Sequence, residues 1–126
     1  MLLVDDDRAV RALLATSLEY LGCRILTARN GEEALQALHA KPFVDVVVTE
    51  VALPVMGGLE LLRTVRQIDG FKTLPVILCS VFIDEATMKK ASAYGCTRYL
   101  VKPIDSEILI EEITAVLAHR ASLVKP

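Results

Sequence analysis

The chain has 126 residues, of which 53% are apolar and 24% charged, a length that fits one domain and is too short for two of ordinary size. Its 16 acidic and 14 basic residues give a formal net charge of -2, which argues against bulk binding of nucleic acid or anionic membrane. The longest stretch without a charged side chain, 73–83, is far shorter than the ~18 apolar residues of a membrane span. Three scattered cysteines without a C-x-x-C pair favour a cytoplasmic protein.

The first third of the chain reads as strand, helix, strand, helix. An apolar run at 2–4 predicts the first strand, and apolar residues spaced three or four apart predict a helix that ends at Gly22. The core-facing residues predicted for this helix are Val10, Leu13, Leu14, Leu18 and Leu21. Residues 23–28 predict a second strand, and Asn30 with Glu33 three positions later predicts the cap of a second helix.

The same alternation continues to the end of the chain. Strands are predicted over 44–49, 74–80 and 97–101, and the valines at 46–48 indicate a central strand that is buried on both faces. The loop after the third strand contains Pro54, Gly57 and Gly58. Asp84 and Asp105 predict the caps of the last two helices, and 122–126 predict a tail or linker after a folded part of about 1–121.

Five strands that alternate with five helices predict a single doubly wound α/β domain, with a parallel sheet covered by helices on both faces. In such sheets the functional groups collect at the carboxyl ends of the strands, near the point where the strand order reverses. The polar residues predicted at that edge are Asp5, Asp6, Glu50, Ser80 and Lys102.

These residues suit the chemistry of a phosphoryl group. Three carboxylates held together repel one another, so we expect Mg²⁺, the Lys102 ammonium, or both to neutralise them. A hydroxyl and an ammonium that face a carboxylate and Mg²⁺ are the groups that stabilise a transferring phosphoryl group.

Five motifs carry a resemblance to a known family: LLVDDD at 2–7, NGEEAL at 30–35, VTE leading to LPVMGG at 48–58, PVILCS at 75–80, and YLVKP at 99–103. Across essentially the whole chain, the sequence resembles the receiver domain of two-component response regulators, the chemotaxis-regulator-like family. The resemblance implies a flavodoxin-like three-layer sandwich with strand order 2-1-3-4-5, and a conformational switch in a phosphorelay.

The resemblance also implies a role for each site residue. The expected metal ligands are Asp5, Asp6, Glu50 and the backbone carbonyl of Ala52. Ser80 is the expected switch hydroxyl, Lys102 is expected to contact the phosphate, and Tyr99 is the aromatic whose rotamer reports activation. The bond between Lys102 and Pro103 is expected to be cis. The implied partners are a sensor histidine kinase or phosphotransfer protein and an effector that binds the fourth helix, fifth strand and fifth helix, a face that we also expect to support a homodimer.

The chain departs from the family at the phosphoacceptor position, where Glu50 stands in place of aspartate. The extra methylene displaces the carboxylate by roughly 1.5 Å, and a misplacement of about 1 Å can slow a positioned reaction on the order of a hundredfold. We therefore expect slow or absent phosphorylation, with Glu50 reaching toward Ser80 and Lys102 as a partial mimic of the phosphorylated state. The alternative is an interaction module that works without phosphate or Mg²⁺.

Two rival function classes share the fold and fit the sequence less well. A flavodoxin-type cofactor site needs a first loop that cradles phosphate, and the carboxylates of 5–7 would repel it. An aspartyl-phosphatase needs a cap over its substrate, for which the chain lacks room, and Ala9 stands where such an enzyme has threonine or valine. A receiver domain remains the best interpretation.

Overall fold

In the part of the chain that the computed structural model describes, residues 1–41, 43–81 and 84–124, five strands alternate with five α-helices. The elements are β1 Leu2–Val4, α1 Arg8–Leu18, β2 Leu26–Ala28, α2 Gly31–Ala40, β3 Val47–Glu50, α3 Gly58–Gln67, β4 Val76–Ser80, α4 Glu85–Ala93, β5 Arg98–Val101 and α5 Ser106–Val124. A 3-10 turn at Glu19–Leu21 extends α1, and Gly22 ends it in the left-handed conformation.

The strands form one parallel sheet in the order β2-β1-β3-β4-β5, which confirms the predicted topology. The strand order reverses between β1 and β3, where Val4 lies beside Thr49. Glu50 lies beside Cys79 on β4, and Ser80 lies beside Val101 on β5. The last residues of β1, β3, β4 and β5 therefore meet at one edge of the sheet, as the strand-end rule predicts.

Two apolar layers cover the two faces of the sheet. Val47 packs in the layer that contains residues of α2 and α3, and its neighbour Val48 packs in the layer that contains residues of α5. Both valines are almost fully buried, which confirms that β3 is covered on both faces.

Side-chain caps fix where the helices begin. The carboxylate of Asp7 accepts hydrogen bonds from the backbone N–H groups of Ala9 and Val10 at the start of α1. Asn30 caps α2 and Asp84 caps α4 in the same way. These contacts satisfy N–H groups that have no partner inside the helix, and they confirm the caps predicted at Asn30 and Asp84.

Some predicted bounds are wrong by a few residues. The second strand begins at Leu26 rather than at 23, because β1 offers only three residues for pairing. Helix α5 continues to Val124, into the predicted tail, because no glycine or proline interrupts 121–124; Lys125 and Pro126 lie outside the described residues. Leu13, predicted in the core, is 64% exposed because it lies on the flank of α1, beside the stripe formed by residues spaced four apart.

Candidate functional site

Three charged side chains meet at the carboxyl edge of the sheet. The Nζ atom of Lys102 lies 3.0 Å from Oδ2 of Asp5 and also forms an ion pair with Oε2 of Glu50. The side chains of Asp5 and Glu50 are only 7% and 9% exposed, and that of Lys102 is 23% exposed. We call Asp5, Glu50 and Lys102 the charged triad. The contact between Glu50 and Lys102 is one of the two that were expected; the expected approach of Glu50 to Ser80 stays a prediction.

Backbone hydrogen bonds hold two members of the triad in place: Asp5, which follows β1, and Lys102, which follows β5. The N–H of Asp5 donates to the carbonyl of Ala28 (3.1 Å), and the N–H of Lys102 donates to the carbonyl of Ser80 (2.7 Å). The second carboxylate oxygen of Asp5, Oδ1, accepts the N–H of Asp7 at 2.9 Å. The peptide bond that follows Lys102 is cis, as the resemblance implies. The triad is thus anchored on three strand ends rather than on free loops.

A close backbone approach supports the end of β3. The N–H of Gly58 donates to the carbonyl of Val51 at 2.9 Å, and a Cβ atom at position 58 would lie 2.3 Å from the carbonyl oxygen of Glu50. Only glycine fits there without a backbone shift. The loop also docks on α2, where the N–H of Gly31 donates to the carbonyl of Met56 at 2.8 Å. The loop and the start of α3 therefore set the position of Glu50.

Arg11 is a site residue that the sequence reasoning missed. Its guanidinium donates from Nη1 to the carbonyl oxygen of Asp5 at 2.7 Å, so it ties the first turns of α1 to the end of β1. Arginine is common on exposed helix faces, and nothing in its spacing from Asp5 marks this contact. The local sequence therefore gave no signal that would have identified it.

The charge of Lys102 is maintained by its two partners. Burial alone would lower the pKa of the Lys102 ammonium, but hydrogen bonds to Glu50 and Asp5, together with their negative charges, outweigh burial and raise the pKa above its ordinary value. Next to the triad, burial raises the pKa of the Cys79 thiol to about 12. Cys79 is therefore a protonated, buried side chain rather than a nucleophile.

The raised pKa predicts how stability depends on alkaline pH. The ion pairs of Lys102 contribute fully below the pKa of an unfolded lysine, about 10.4, and are lost as the pH rises through the higher folded pKa. We expect the difference in unfolding free energy between the native chain and Lys102→Met to shrink above about pH 10.4. Urea unfolding at several alkaline pH values measures it, and a difference that stays constant to the highest pH would contradict this assignment.

The remaining predicted site residues differ in position and burial. Ser80 is fully buried at the end of β4, and Tyr99 is half-buried on β5 against the layer that contains Ala91. Asp6 is exposed. The metal ligand set, which includes the Ala52 carbonyl, stays a prediction.

The described residues contain no group of three acidic, histidine or cysteine side chains close enough to hold a metal ion. The oxygen donors themselves are of the kind that Mg²⁺ prefers. Two of them, the carboxylates of Asp5 and Glu50, share the single positive charge of the Lys102 ammonium. The donor chemistry therefore fits Mg²⁺, while the lysine supplies the positive charge between these two carboxylates.

Residues 1–114 match the family model described as the response regulator receiver domain. The chain belongs to this family. It is 33% identical over 118 residues to the chemotaxis protein CheY1 of Helicobacter pylori, and the aligned region covers 93% of this chain and 95% of that protein. Members of the family are capable of phosphorylation and generally bind Mg²⁺ at the phosphorylation site.

Solved receiver domains share the fold. The chemotaxis response regulator CheY4 of Vibrio cholerae has a TM-score of 0.83 and 32% identity, with 91% of this chain and 95% of that one covered. The BeF3-activated receiver domain of DrrB has a TM-score of 0.81 and 28% identity, and the match covers 93% of this chain and 95% of that one. The family membership and the flavodoxin-like architecture predicted from the sequence are confirmed.

Proposed function

We propose that this receiver domain is a conformational switch of two-component signalling whose state is set by Glu50 and Lys102 rather than by phosphoryl transfer. One observation carries the proposal: the Glu50 carboxylate is buried and paired with Lys102, the residue to which the resemblance assigns the phosphate contact. An anion tied to that ammonium takes over part of the role of a phosphoryl group. The domain is therefore phosphorylation-deficient and partly active without modification.

The chemistry of transfer explains the deficiency. In a receiver, a carboxylate oxygen at the end of β3 forms a bond to phosphorus while the bond from phosphorus to the donor's leaving group breaks. The longer side chain places that oxygen roughly 1.5 Å from the position of an aspartate oxygen, and Lys102 holds Oε2. The two effects separate nucleophile and phosphorus, so we expect the rate to fall on the order of a hundredfold or more.

Mg²⁺ has a reduced role in this proposal. Asp5 and Asp6, with Glu50 and the Ala52 carbonyl, would hold the ion, and when bound it would supply positive charge for phosphate oxygens. Because the longer Glu50 side chain displaces its carboxylate by roughly 1.5 Å and the Lys102 ammonium already pairs with Asp5 and Glu50, the affinity for Mg²⁺ is expected to be weaker than with an aspartate at position 50. The Asp5 carboxylate keeps its hydrogen bond from Asp7 in either case.

The activation is partial on energetic grounds. Moving a two-state domain from 1:99 to 99:1 requires about 5.5 kcal/mol. A single pair whose ammonium reaches solvent stabilises one state by less than that amount. The native chain is therefore expected to populate both states.

The partners follow from the family. A sensor histidine kinase or phosphotransfer protein would contact the triad edge, and an effector domain or protein would bind the face formed by α4, β5 and α5. Met88, Val101 and Ile108 expose apolar side chains on these elements, at 40%, 38% and 51% exposure, and they offer apolar surface to a partner. The same face would support a homodimer. Direct contact with nucleic acid or membrane is not part of the proposal.

The cytoplasmic location stays a prediction. Among the described residues, no helix combines the length and the apolar character needed to cross a bilayer.

Intact-mass spectrometry after incubation with acetyl phosphate and Mg²⁺ tests the proposal. We expect the native chain to stay unmodified and Glu50→Asp to gain one phosphoryl group, because the shorter side chain restores the position of the attacking oxygen. Glu50→Gln is the control, since it keeps the length of the side chain and removes the charge. Rapid modification of the native chain at Glu50 would overturn the proposal.

The second candidate is the interaction module that works without phosphate or Mg²⁺. It is favoured by the finding that the described residues hold no cluster of three metal-ligating side chains. If Glu50→Asp also stays unmodified while its fold is intact, this candidate replaces the switch. Mg²⁺ titration of both chains separates the two further, because the switch retains some affinity and the pure module retains none.

A further inference from the structure

A cavity of about 200 Å³ lies beneath α1, between that helix and the charged triad. Its apolar walls come from three parts of the fold: Val10 and Leu14 on α1, Val48 on β3, and Leu109 on α5. The charged triad belongs to the same lining. The cavity therefore joins an apolar space to the buried charges of the site.

The cavity leaves the inner face of α1 incompletely covered. Leu18 is fully buried, whereas Val10 and Leu14 are only half-buried, although all three lie on one stripe of the helix. The cavity is partly open to solvent, where the exposed Leu13 also lines it, so its apolar atoms lack protein contact partners on the open side. A molecule that filled the space would recover these contacts, so the site favours an apolar occupant.

The charges in the lining favour a cation. Two carboxylates face one ammonium, which leaves a net charge of about -1 at this end of the site. A carboxylate has about four acceptor positions, and within the described residues the side-chain partner of Glu50 is Lys102. A further N–H donor can therefore bind the buried Glu50 carboxylate, while an anionic group would be repelled.

We propose that this cavity binds a small molecule that combines a compact apolar ring with one primary ammonium group. The volume of about 200 Å³ exceeds the roughly 150 Å³ of an engineered cavity that holds benzene, so a single ring fits. The ring packs between Val10, Leu14 and Leu109, and the ammonium binds Glu50. The inference goes beyond the proposed function and does not rest on it, because the cavity exists whether or not Glu50 imitates a phosphoryl group.

Three probes of similar shape and different charge test the site: benzylamine, benzyl alcohol and benzoate. Binding is followed on the native chain through the methyl resonances of valine and leucine in ¹H–¹³C spectra. We expect saturable shifts at Val10, Leu14 and Leu109 with a dissociation constant of about 1 mM for benzylamine. Benzyl alcohol is expected to bind about fivefold more weakly, and benzoate more weakly still.

Variants locate the probe. Val10→Phe fills the cavity and is expected to weaken benzylamine binding about tenfold, whereas Ala12→Phe places the same ring on the exposed side of α1 and is expected to leave binding unchanged. Leu14→Phe repeats the test if Val10→Phe fails to fold. Glu50→Gln is expected to remove the preference for benzylamine over benzyl alcohol.

Three results would overturn the inference. The first is the absence of saturable shifts with benzylamine at about 10 mM, and the second is a preference for benzoate. The third is binding that Val10→Phe and Leu14→Phe both leave intact. None of these results depends on phosphorylation, so the failure of this inference and the failure of the proposed function are distinguishable.

Discussion

Replacing Lys102 with methionine is expected to destabilise the domain by about 3 kcal/mol. The substitution keeps a side chain of similar length and removes the ammonium that pairs with two carboxylates, each less than 10% exposed. Breaking a buried pair from one side is costly because the remaining charges stay buried without a partner. The expected loss is at the low end for buried pairs because Lys102 itself reaches solvent at 23% exposure. Urea unfolding at neutral pH measures the loss.

Lys89→Met is the matched control for this substitution. Lys89 also forms an ion pair, with Glu85 one turn earlier on α4, but both side chains are strongly exposed. Exposed pairs of this kind contribute little to stability, so the control is expected to unfold like the native chain. Adding Glu50→Gln to Lys102→Met is expected to restore part of the lost stability, because one of the two unpaired charges is then absent. Equal losses in Lys102→Met and Lys89→Met would show that the charged triad is not buried as described.

Replacing Gly58 with alanine is expected to destabilise the domain by about 2–3 kcal/mol and to disturb the site. The added Cβ would lie 2.3 Å from the carbonyl oxygen of Glu50 and 3.0 Å from the Cα of Val51. These are backbone atoms, so no rotamer change relieves the contact, and β3 or the start of α3 must shift. Chemical denaturation measures the stability loss.

Gly57→Ala is the matched comparison for Gly58→Ala, because it adds the same Cβ atom at the neighbouring position. Position 57 has an ordinary negative φ of -78°, and a Cβ atom there would lie 3.1 Å from the carbonyl oxygen of Val51. This contact is tight but far less severe, so the loss in unfolding free energy is expected to be clearly smaller than for Gly58→Ala. If both variants lose the same stability, the close approach at position 58 does not determine the geometry of the loop.

Much of the fold could be predicted from the sequence because its signals are local. The alternation of apolar runs with helical periodicity, together with the caps at Asn30 and Asp84, depends on near neighbours in the chain. The bounds of the strands do not depend on near neighbours in the chain, because a residue belongs to a strand only where a partner strand pairs with it. Leu26 begins β2 because its partner Leu2 begins β1, and nothing within 23–28 specifies that limit.

The sequence predicts which residues come together at the ends of the strands, but it does not predict which of their atoms are in contact. The topology of the sheet places Asp5, Glu50 and Lys102 at one edge, independently of the directions of their side chains. Which atoms meet depends on side-chain direction, and Asp5 is buried while its neighbour Asp6 is exposed. The support from Arg11 depends on a side chain that reaches a backbone oxygen, for which a sequence pattern carries no signal.

Glu50 is expected to hold the receiver partly in its active state. The most direct test compares ¹H–¹⁵N spectra of the native chain with those of Glu50→Asp, recorded with and without beryllium fluoride as a phosphoryl analogue in the presence of Mg²⁺. We predict that the amide signals of Ser80 and Tyr99 in the native chain lie between the two Glu50→Asp spectra, displaced toward the one with beryllium fluoride. Native signals that coincide with those of untreated Glu50→Asp would contradict the account.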